Sequence, residues 1–306
     1  MASFKSRMAN FMMRNRHLMQ GRWKREVFDM DTSIQDFRDL CEKGAAKYGK
    51  LPQGLTVKPE DIQGIKAEWL IPQNAPSEKV ILYVHGGGYV SGSCSDHRGV
   101  VSKFAQNTSF TNFLYEYRLA PEHKFPAAVD DSVTAYKFLL ENGYKPENIL
   151  IAGESAGGGL TLALLLSLKD QKIPMPVAAV AISPWADLTC SGDSYRTKNE
   201  VSVAPLNSWF VFRNHYAGTT DLKEPLLSPL YGDLAGLPPI FINSGEDDEL
   251  FDDGLRFYQK AVEAGVNARF RRGKGQVHCY PLLAPFFPEA TEAMNEIVEF
   301  VKQHLS

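Results

Sequence analysis

The sequence has 306 residues, of which 44% are hydrophobic and 23% are charged, and its formal net charge is −3. These values are typical of a globular protein with one large domain or two small ones, and the negative charge argues against a nucleic-acid partner. No run reaches the roughly 18 apolar residues of a membrane helix, and Arg14 and Arg16 interrupt any apolar core of a signal peptide. We therefore expect a cytoplasmic protein without stable membrane insertion.

The cysteines support the same expectation. They lie far apart and form no Cys-x-x-Cys pair, so we predict four free thiols in a reducing compartment. The four residues are Cys41, Cys94, Cys190 and Cys279.

The first 25 residues differ in charge from the rest of the chain. They carry seven Lys or Arg and no acidic residue, so the acidic excess lies in the remainder. Phe4, Met8, Phe11 and Met12 have the spacing of an amphipathic helix. Three interpretations fit this pattern: a membrane-surface helix, a flap over a substrate cleft, or a helix docked on an acidic body.

The remaining elements follow in chain order. A second helix is predicted over residues 33–47, and strands alternate with helices from about residue 60. The predicted strands cover residues 64–71, 79–84, 111–117, 148–152, 177–182, 240–243 and 267–272. The predicted helices cover residues 125–143, 160–168, 250–264 and 289–305. Because most of these strands are apolar throughout, the pattern indicates a mostly parallel sheet with helices on both faces.

Two segments stand outside this alternation. Residues 187–235 carry no strand signal but contain an aromatic cluster, and the N-terminal 50 residues precede the first strand. We predict that both belong to a cap. The predicted organisation is an N-terminal cap over residues 1–55, a core in two parts over 56–186 and 236–306, and a cap insertion over 187–235.

A possible nucleophile lies where a strand runs directly into a helix. Residues 153–157 read Gly-Glu-Ser-Ala-Gly, and this motif places Ser155 on a tight turn with its hydroxyl exposed in a cleft. Gly153 and Gly157 suit such a turn because a Cβ would clash there. The motif alone is weak evidence, so the chain must also provide a base, an acid and an oxyanion hole.

The base should follow the serine and the acid in the sequence. Of the seven histidines, only His215, His278 and His304 come after Ser155. His304 lies in the closing helix, and His215 lies in the aromatic insertion, where packing or capping is its simpler role. His278 follows the last strand in a glycine-containing loop, so we predict that it is the base.

The acid is ambiguous from the residues alone. The strand that ends near residue 243 is followed by Glu246, Asp247, Asp248 and Glu249. Acidic residues at the start of a helix are also favoured by the helix dipole, without any catalytic role.

An oxyanion hole requires backbone N–H groups that point at the developing charge. Ala156, directly after the serine, provides one. Residues 85–89 read His-Gly-Gly-Gly-Tyr, and a glycine run of this kind can turn further N–H groups into a site. A phosphate-binding loop is the alternative, but neither a Gly-Lys-Ser/Thr sequence nor the Gly-x-Gly-x-x-Gly spacing is present.

Over roughly residues 60–305 these motifs resemble the hormone-sensitive-lipase family of α/β-hydrolases, especially its bacterial esterases. The strongest parts are His-Gly-Gly-Gly-Tyr at 85–89, Tyr-Arg-Leu-Ala-Pro-Glu-His-Lys-Phe-Pro-Ala-Ala at 117–128 and Gly-Glu-Ser-Ala-Gly-Gly at 153–158. The resemblance implies an α/β-hydrolase fold with a helical cap. Many similar proteins form dimers through the edge strand nearest the C-terminus, and we expect that contact in any homodimer of this chain.

The resemblance also implies site residues. It assigns the acid to Asp248, with Asp247 in reserve because Glu249 stands where the family pattern has Pro. It assigns the oxyanion hole to the first two glycines, Gly86 and Gly87, together with Ala156. The sequence departs from many members at residue 154, which is Glu rather than Asp, and we interpret that change as tolerated.

The predicted function is a carboxylesterase that acts on small esters with short to medium acyl groups through an acyl-enzyme, without cofactor or metal. Amide, carbamate or lactone hydrolysis on the same fold is one alternative. A binding protein without catalysis is the other, but relatives of that kind would be expected to lack the histidine found at position 278.

Overall fold

A computed structural model describes residues 2–19, 21, 23–48 and 50–305. One eight-stranded sheet has the order β1-β2-β4-β3-β5-β6-β7-β8. The β1–β2 and β2–β4 pairs are antiparallel and the other pairs are parallel. The strands are β1 (Leu55–Ile62), β2 (Ile65–Pro72), β3 (Val80–Val84), β4 (Thr111–Tyr115), β5 (Ile149–Glu154), β6 (Ala178–Ile182), β7 (Ile240–Gly245) and β8 (Ala268–Gly273).

Helices cover both faces of this sheet, as the apolar strands predict. They are α1 (Phe4–Arg14), α2 (Arg16–Met19), α3 (Ile34–Tyr48), α4 (Cys94–Thr108), α5 (Ala127–Glu141), α6 (Ala156–Asp170), α7 (Ser194–Thr197), α8 (Ser208–Ala217), α9 (Phe251–Glu263) and α10 (Pro288–Leu305). The side chains of β3 alternate between the two faces. Val80 and Leu82 belong to the core beneath α5, α6 and α9, whereas Ile81 and Tyr83 belong to the core beneath α4 and α10. The predicted fold class is therefore confirmed.

Helix α6 is enclosed in the core along most of its length. Every residue from 156 to 168 is buried, which confirms the prediction of a fully buried helix and extends it to the serine. Its first turn has no room for side chains: a Cβ on Gly157 would lie 2.2 Å from the Val84 carbonyl oxygen, and a Cβ on Gly159 would lie 2.0 Å from the Trp185 carbonyl oxygen. This close approach fixes the start of α6 against the end of β3.

Some elements differ from the sequence prediction. Strand β1 was not predicted, because it contains Pro59 and most of its side chains are accessible to solvent. Both features are tolerated in an edge strand. Helix α4 was also not predicted. The segment between β6 and β7 contains α7 and α8 and no strand, as expected.

Three further expectations concern the cysteines, the membrane and the sheet edge. The four cysteines are free thiols, as predicted. In the described part of the chain, no helix has the length and apolarity to cross a membrane. Strand β8 forms one edge of the sheet, so the contact expected for a homodimer is available; the dimer itself stays a prediction.

Candidate active site

Ser155 lies at a strained turn between β5 and α6. Its φ is +57° and its ψ is −125°, a conformation that a residue with a side chain rarely adopts. The turn is held by hydrogen bonds: the Ser155 N–H donates to the Ile182 carbonyl at 2.9 Å, and the Trp185 N–H donates to the Ser155 carbonyl at 3.0 Å. A Cβ on Gly153 would lie 2.4 Å from the Gly157 carbonyl oxygen, so the glycines are required as the motif predicts.

His278 and Asp248 form a hydrogen-bonded pair. The His278 Nδ1 and Asp248 Oδ2 atoms are 2.7 Å apart, and the Asp248 carboxylate is fully buried. Asp247 points elsewhere and pairs with Arg14 at 2.6 Å. Of the two aspartates that the sequence left open, Asp248 is thus the one that lies against the imidazole.

This pair controls the basicity of the imidazole. Burial alone would lower the pKa of His278, but the Asp248 carboxylate outweighs it and raises that pKa well above its ordinary value. In the described chain, the Ser155 hydroxyl makes no hydrogen bond to His278. Such contacts are often long before substrate binds.

Trp209, from the segment between β6 and β7, supports the His278–Asp248 pair. Its ring meets the His278 ring edge to face, with centroids 5.6 Å apart. Its Nε1–H donates to Glu249 Oε2 at 3.0 Å, and Glu249 is itself buried. The residue that departs from the family pattern, Glu249 in place of Pro, therefore anchors the aromatic side chain that packs on His278.

The glycine loop after β3 runs beside the serine, but one of its predicted donors is already in use. The Gly86 N–H donates to Glu154 Oε1 at 2.8 Å, so this donor is already occupied. The prediction for Gly86 does not fit this geometry. In the described part of the chain no acceptor engages the N–H groups of Gly87 and Gly88, whose φ values are +113° and +65°. The start of α6 leaves the Ala156 N–H without an intrahelical partner.

Glu154, the residue before the serine, belongs to a buried polar network that the sequence analysis missed. Its Oε1 also lies 3.1 Å from His97 Nε2, and His97 Nδ1 bonds Asp96. Asp96 forms a capping box with Ser93 at the start of α4. Burial would lower the pKa of His97, but hydrogen bonds to Asp96 and Glu154 raise it to about 10. The spacing Ser-x-x-Asp was the available signal for this cap.

Aromatic residues from the two predicted cap segments meet over the glycine loop. Phe28 and Phe37 come from the N-terminal segment and Phe212 from α8, and their ring centroids lie 5.3–5.6 Å apart. A Cβ on Gly88 would lie 2.3 Å from the Phe212 ring, so this cluster packs directly on the loop. The cluster therefore forms an apolar wall against the glycine loop.

Comparison with known proteins gives a consistent family. A family model described as the alpha/beta hydrolase fold matches residues 81–282. An acetyl-hydrolase of Streptomyces hygroscopicus is 38% identical over 253 residues, which cover 81% of this chain and 84% of the relative. An esterase of Acinetobacter venetianus is 36% identical over 257 residues, which cover 81% and 83%.

Solved structures agree with these relatives. An esterase from the bacterial hormone-sensitive lipase family is 33% identical, with a TM-score of 0.90 and complete coverage of both chains. A hormone-sensitive lipase from a metagenome library is 31% identical, with a TM-score of 0.91 over 100% of this chain and 99% of the other.

Proposed function

The chain belongs to the hormone-sensitive-lipase family of α/β-hydrolases and is a carboxylic ester hydrolase, and we propose that it uses Ser155, His278 and Asp248 to cleave esters with short to medium acyl groups. The observation that carries this proposal is the His278–Asp248 hydrogen bond of 2.7 Å in a molecule whose strained turn carries Ser155. A carboxylate at Nδ1 fixes the tautomer in which Nε2 is free to accept a proton.

The proposed reaction is acyl transfer in two halves. Nε2 of His278 takes the proton from Ser155 Oγ as this oxygen attacks the ester carbonyl, and the resulting imidazolium is stabilised by Asp248. The tetrahedral intermediate collapses, and the C–O bond to the alcohol breaks while His278 returns the proton to the alcohol. Water then attacks the acyl-enzyme with His278 again as base, which releases the acid and restores Ser155.

For the oxyanion we propose the N–H groups of Ala156, Gly87 and Gly88. This revises the set expected from the family resemblance by one residue, because the Gly86 N–H is occupied by Glu154. The role that remains for Gly86 is to hold the loop against Glu154. In other hydrolases, removal of one oxyanion-hole donor raises the barrier by roughly 3 kcal/mol.

Replacement of the nucleophile tests the proposal. Ser155→Ala should lower the turnover of p-nitrophenyl butyrate about 10⁶-fold, as removal of a nucleophilic serine does elsewhere. Ser77→Ala, an exposed serine between β2 and β3, is the matched control and should retain turnover. Near-parent activity of Ser155→Ala, in a variant with an unchanged melting temperature, would refute the assignment.

The acyl preference needs its own measurement. One relative of this chain is called an acetyl-hydrolase and another an ethyl acetate hydrolase, which favours small acyl groups here. Rates on p-nitrophenyl esters from acetyl to palmitoyl should be highest for the shorter chains. A maximum at palmitoyl would contradict the proposed substrate class.

The alternative hydrolase activities differ from ester hydrolysis in the group that leaves the substrate. Amides, carbamates and lactones also pass through a tetrahedral oxyanion, so the same residues would act on them. Turnover of an ester should exceed that of the matched amide. A non-catalytic binding protein would show turnover of neither.

A further inference from the structure

Helix α1 is attached to the body by polar groups. Ser6 Oγ donates to Gln276 Oε1 at 2.9 Å, and Asn10 Nδ2 donates to the Gly275 carbonyl at 2.9 Å. Asn10 is only 3% exposed and Ser6 is fully buried. Gly275 and Gln276 lie in the loop between β8 and His278. The face that contacts the protein therefore combines these hydrogen-bonding side chains with Ala9 and Met13, which pack partly buried against the body.

Four of the large apolar side chains of α1 are turned to solvent. Phe4 is 72% exposed and Phe11 is 64% exposed, and Met8 and Met12 are also exposed. These four residues, which we call the α1 stripe, follow the spacing i, i+4, i+7 and i+8 of one helix face. Burial of the stripe against the body would be favourable, yet the helix docks the other way round. A contiguous exposed apolar surface marks an interaction site.

The charges around the α1 stripe restrict its partner. At 100° per residue, Lys5 and Arg7 flank the stripe on opposite sides, and both are exposed. Residues 1–25 contain no acidic residue. Trp23, which is 93% exposed, lies further along the same basic segment. An apolar stripe between cations, with an aromatic residue nearby, is the pattern of a helix that lies in an anionic lipid interface.

We propose that the α1 stripe binds the surface of an anionic lipid bilayer, with α1 lying flat at the interface. The helix has 11 residues, about half the length that a membrane span requires. The polar contacts of Ser6 and Asn10 remain intact in this arrangement, so the body needs no rearrangement. The stripe then lies about one helix diameter, roughly 10 Å, from the loop that precedes His278.

A second copy of this chain fits the stripe less well. A symmetric contact between two α1 helices would bring Lys5 and Arg7 of both copies together, and like charges at such a contact repel. The lipid surface instead supplies negative charge along the whole length of the helix. We therefore assign the stripe to lipid and treat self-association as an outcome of the test.

Sedimentation with vesicles tests the proposal on the full chain. The protein should bind vesicles of equal parts phosphatidylglycerol and phosphatidylcholine, release at high salt, and bind pure phosphatidylcholine vesicles much more weakly. The variant Phe4→Ser/Phe11→Ser should bind at least about tenfold more weakly. Lys5→Gln/Arg7→Gln should also bind about tenfold more weakly.

Matched controls separate lipid binding from folding. Val262→Ser changes an exposed apolar residue of α9, on the opposite face of the sheet, and should bind vesicles like the parent. Trp23 emission should shift to the blue with anionic vesicles, and Trp23→Phe should abolish the shift. The proposal would be overturned if the parent did not bind anionic vesicles, if it bound neutral vesicles equally well, or if Phe4→Ser/Phe11→Ser bound like the parent. It would also be overturned if the parent formed a dimer in solution that Phe4→Ser/Phe11→Ser dissociates, and did not bind vesicles.

Discussion

Helices α6 and α1 bury opposite kinds of surface. Helix α6 begins directly after Ser155 and is enclosed by the core on every side, whereas α1 makes hydrogen bonds to the body through Ser6 and Asn10 and exposes its aromatic side chains. The first arrangement holds Ser155, the proposed nucleophile, in a strained turn because the backbone around it is closely packed. The second contributes little apolar burial, and its exposed stripe remains available to a partner.

The difference also separates a region that determines the stability of the fold, α6, from a region that we propose determines binding to a lipid surface, α1. In α6, close packing and backbone contacts leave no space, so a change there should alter folding or catalysis. In α1, the hydrogen bonds to Gly275 and Gln276 hold the helix, so a change on its outer face should alter neither. Substitutions in the two regions test this contrast.

The largest effect is expected at the acid beside the fixed turn. Asp248→Asn should lower turnover about 10⁴-fold, because the amide favours the wrong imidazole tautomer. Activity requires neutral His278 and falls as pH drops through its pKa. Because Asp248 raises that pKa, its loss should move the acidic limb of the rate profile to lower pH. The pH–rate profile of the residual activity checks this, and an unmoved limb would contradict it.

Truncation of equivalent apolar side chains compares the two helices directly. Leu164→Ala in α6 should lower the free energy of unfolding by about 2–5 kcal/mol, because it leaves a cavity in the core. Phe11→Ala in α1 should change it by less than about 0.5 kcal/mol, because the ring is already in solvent. Urea unfolding measures both. Similar losses of unfolding free energy in the two variants would contradict the contrast between α6 and α1.

Smaller losses are expected where α1 meets the body. Ser6→Ala removes the donor to Gln276 Oε1 and should cost about 1 kcal/mol, since both groups are buried. Ser77→Ala, an exposed serine between β2 and β3, is the control and should be neutral. If Ser6→Ala were equally neutral by urea unfolding, the polar contacts would not be what holds α1.

Most of the fold and much of the site were predictable from the sequence. Apolar strands indicated the parallel sheet, and an all-apolar pattern left no choice of face for α6. The order Ser155, Asp248, His278 follows from chain position, and the structure brings the last two together. By contrast, an amphipathic pattern does not determine which face of a helix packs against the rest of the protein. Helix α1 illustrates this, because its contacts depend on which groups the loop at 275–276 presents.

The finer features of the site depend on where individual N–H groups and side chains point in the fold, which a single sequence does not show. The glycine run at 85–89 pointed to the loop that we propose for the oxyanion. Only backbone geometry shows that the Gly86 N–H donates to Glu154, while no acceptor in the described part of the chain engages the Gly87 and Gly88 N–H groups. The His97 network was hidden because its partners lie 57 residues apart in the chain and meet only in the fold. The role of Trp209 beside His278 was hidden for the same reason.

Covalent labelling tests the central claim most directly. We expect a p-nitrophenyl alkylphosphonate to release one p-nitrophenolate per chain and to leave a single label on the peptide that contains Ser155. Ser155→Ala should remain unlabelled, and His278→Gln should label far more slowly. Full inactivation with the label on another residue, or turnover of esters without any labelling of Ser155, would contradict the account.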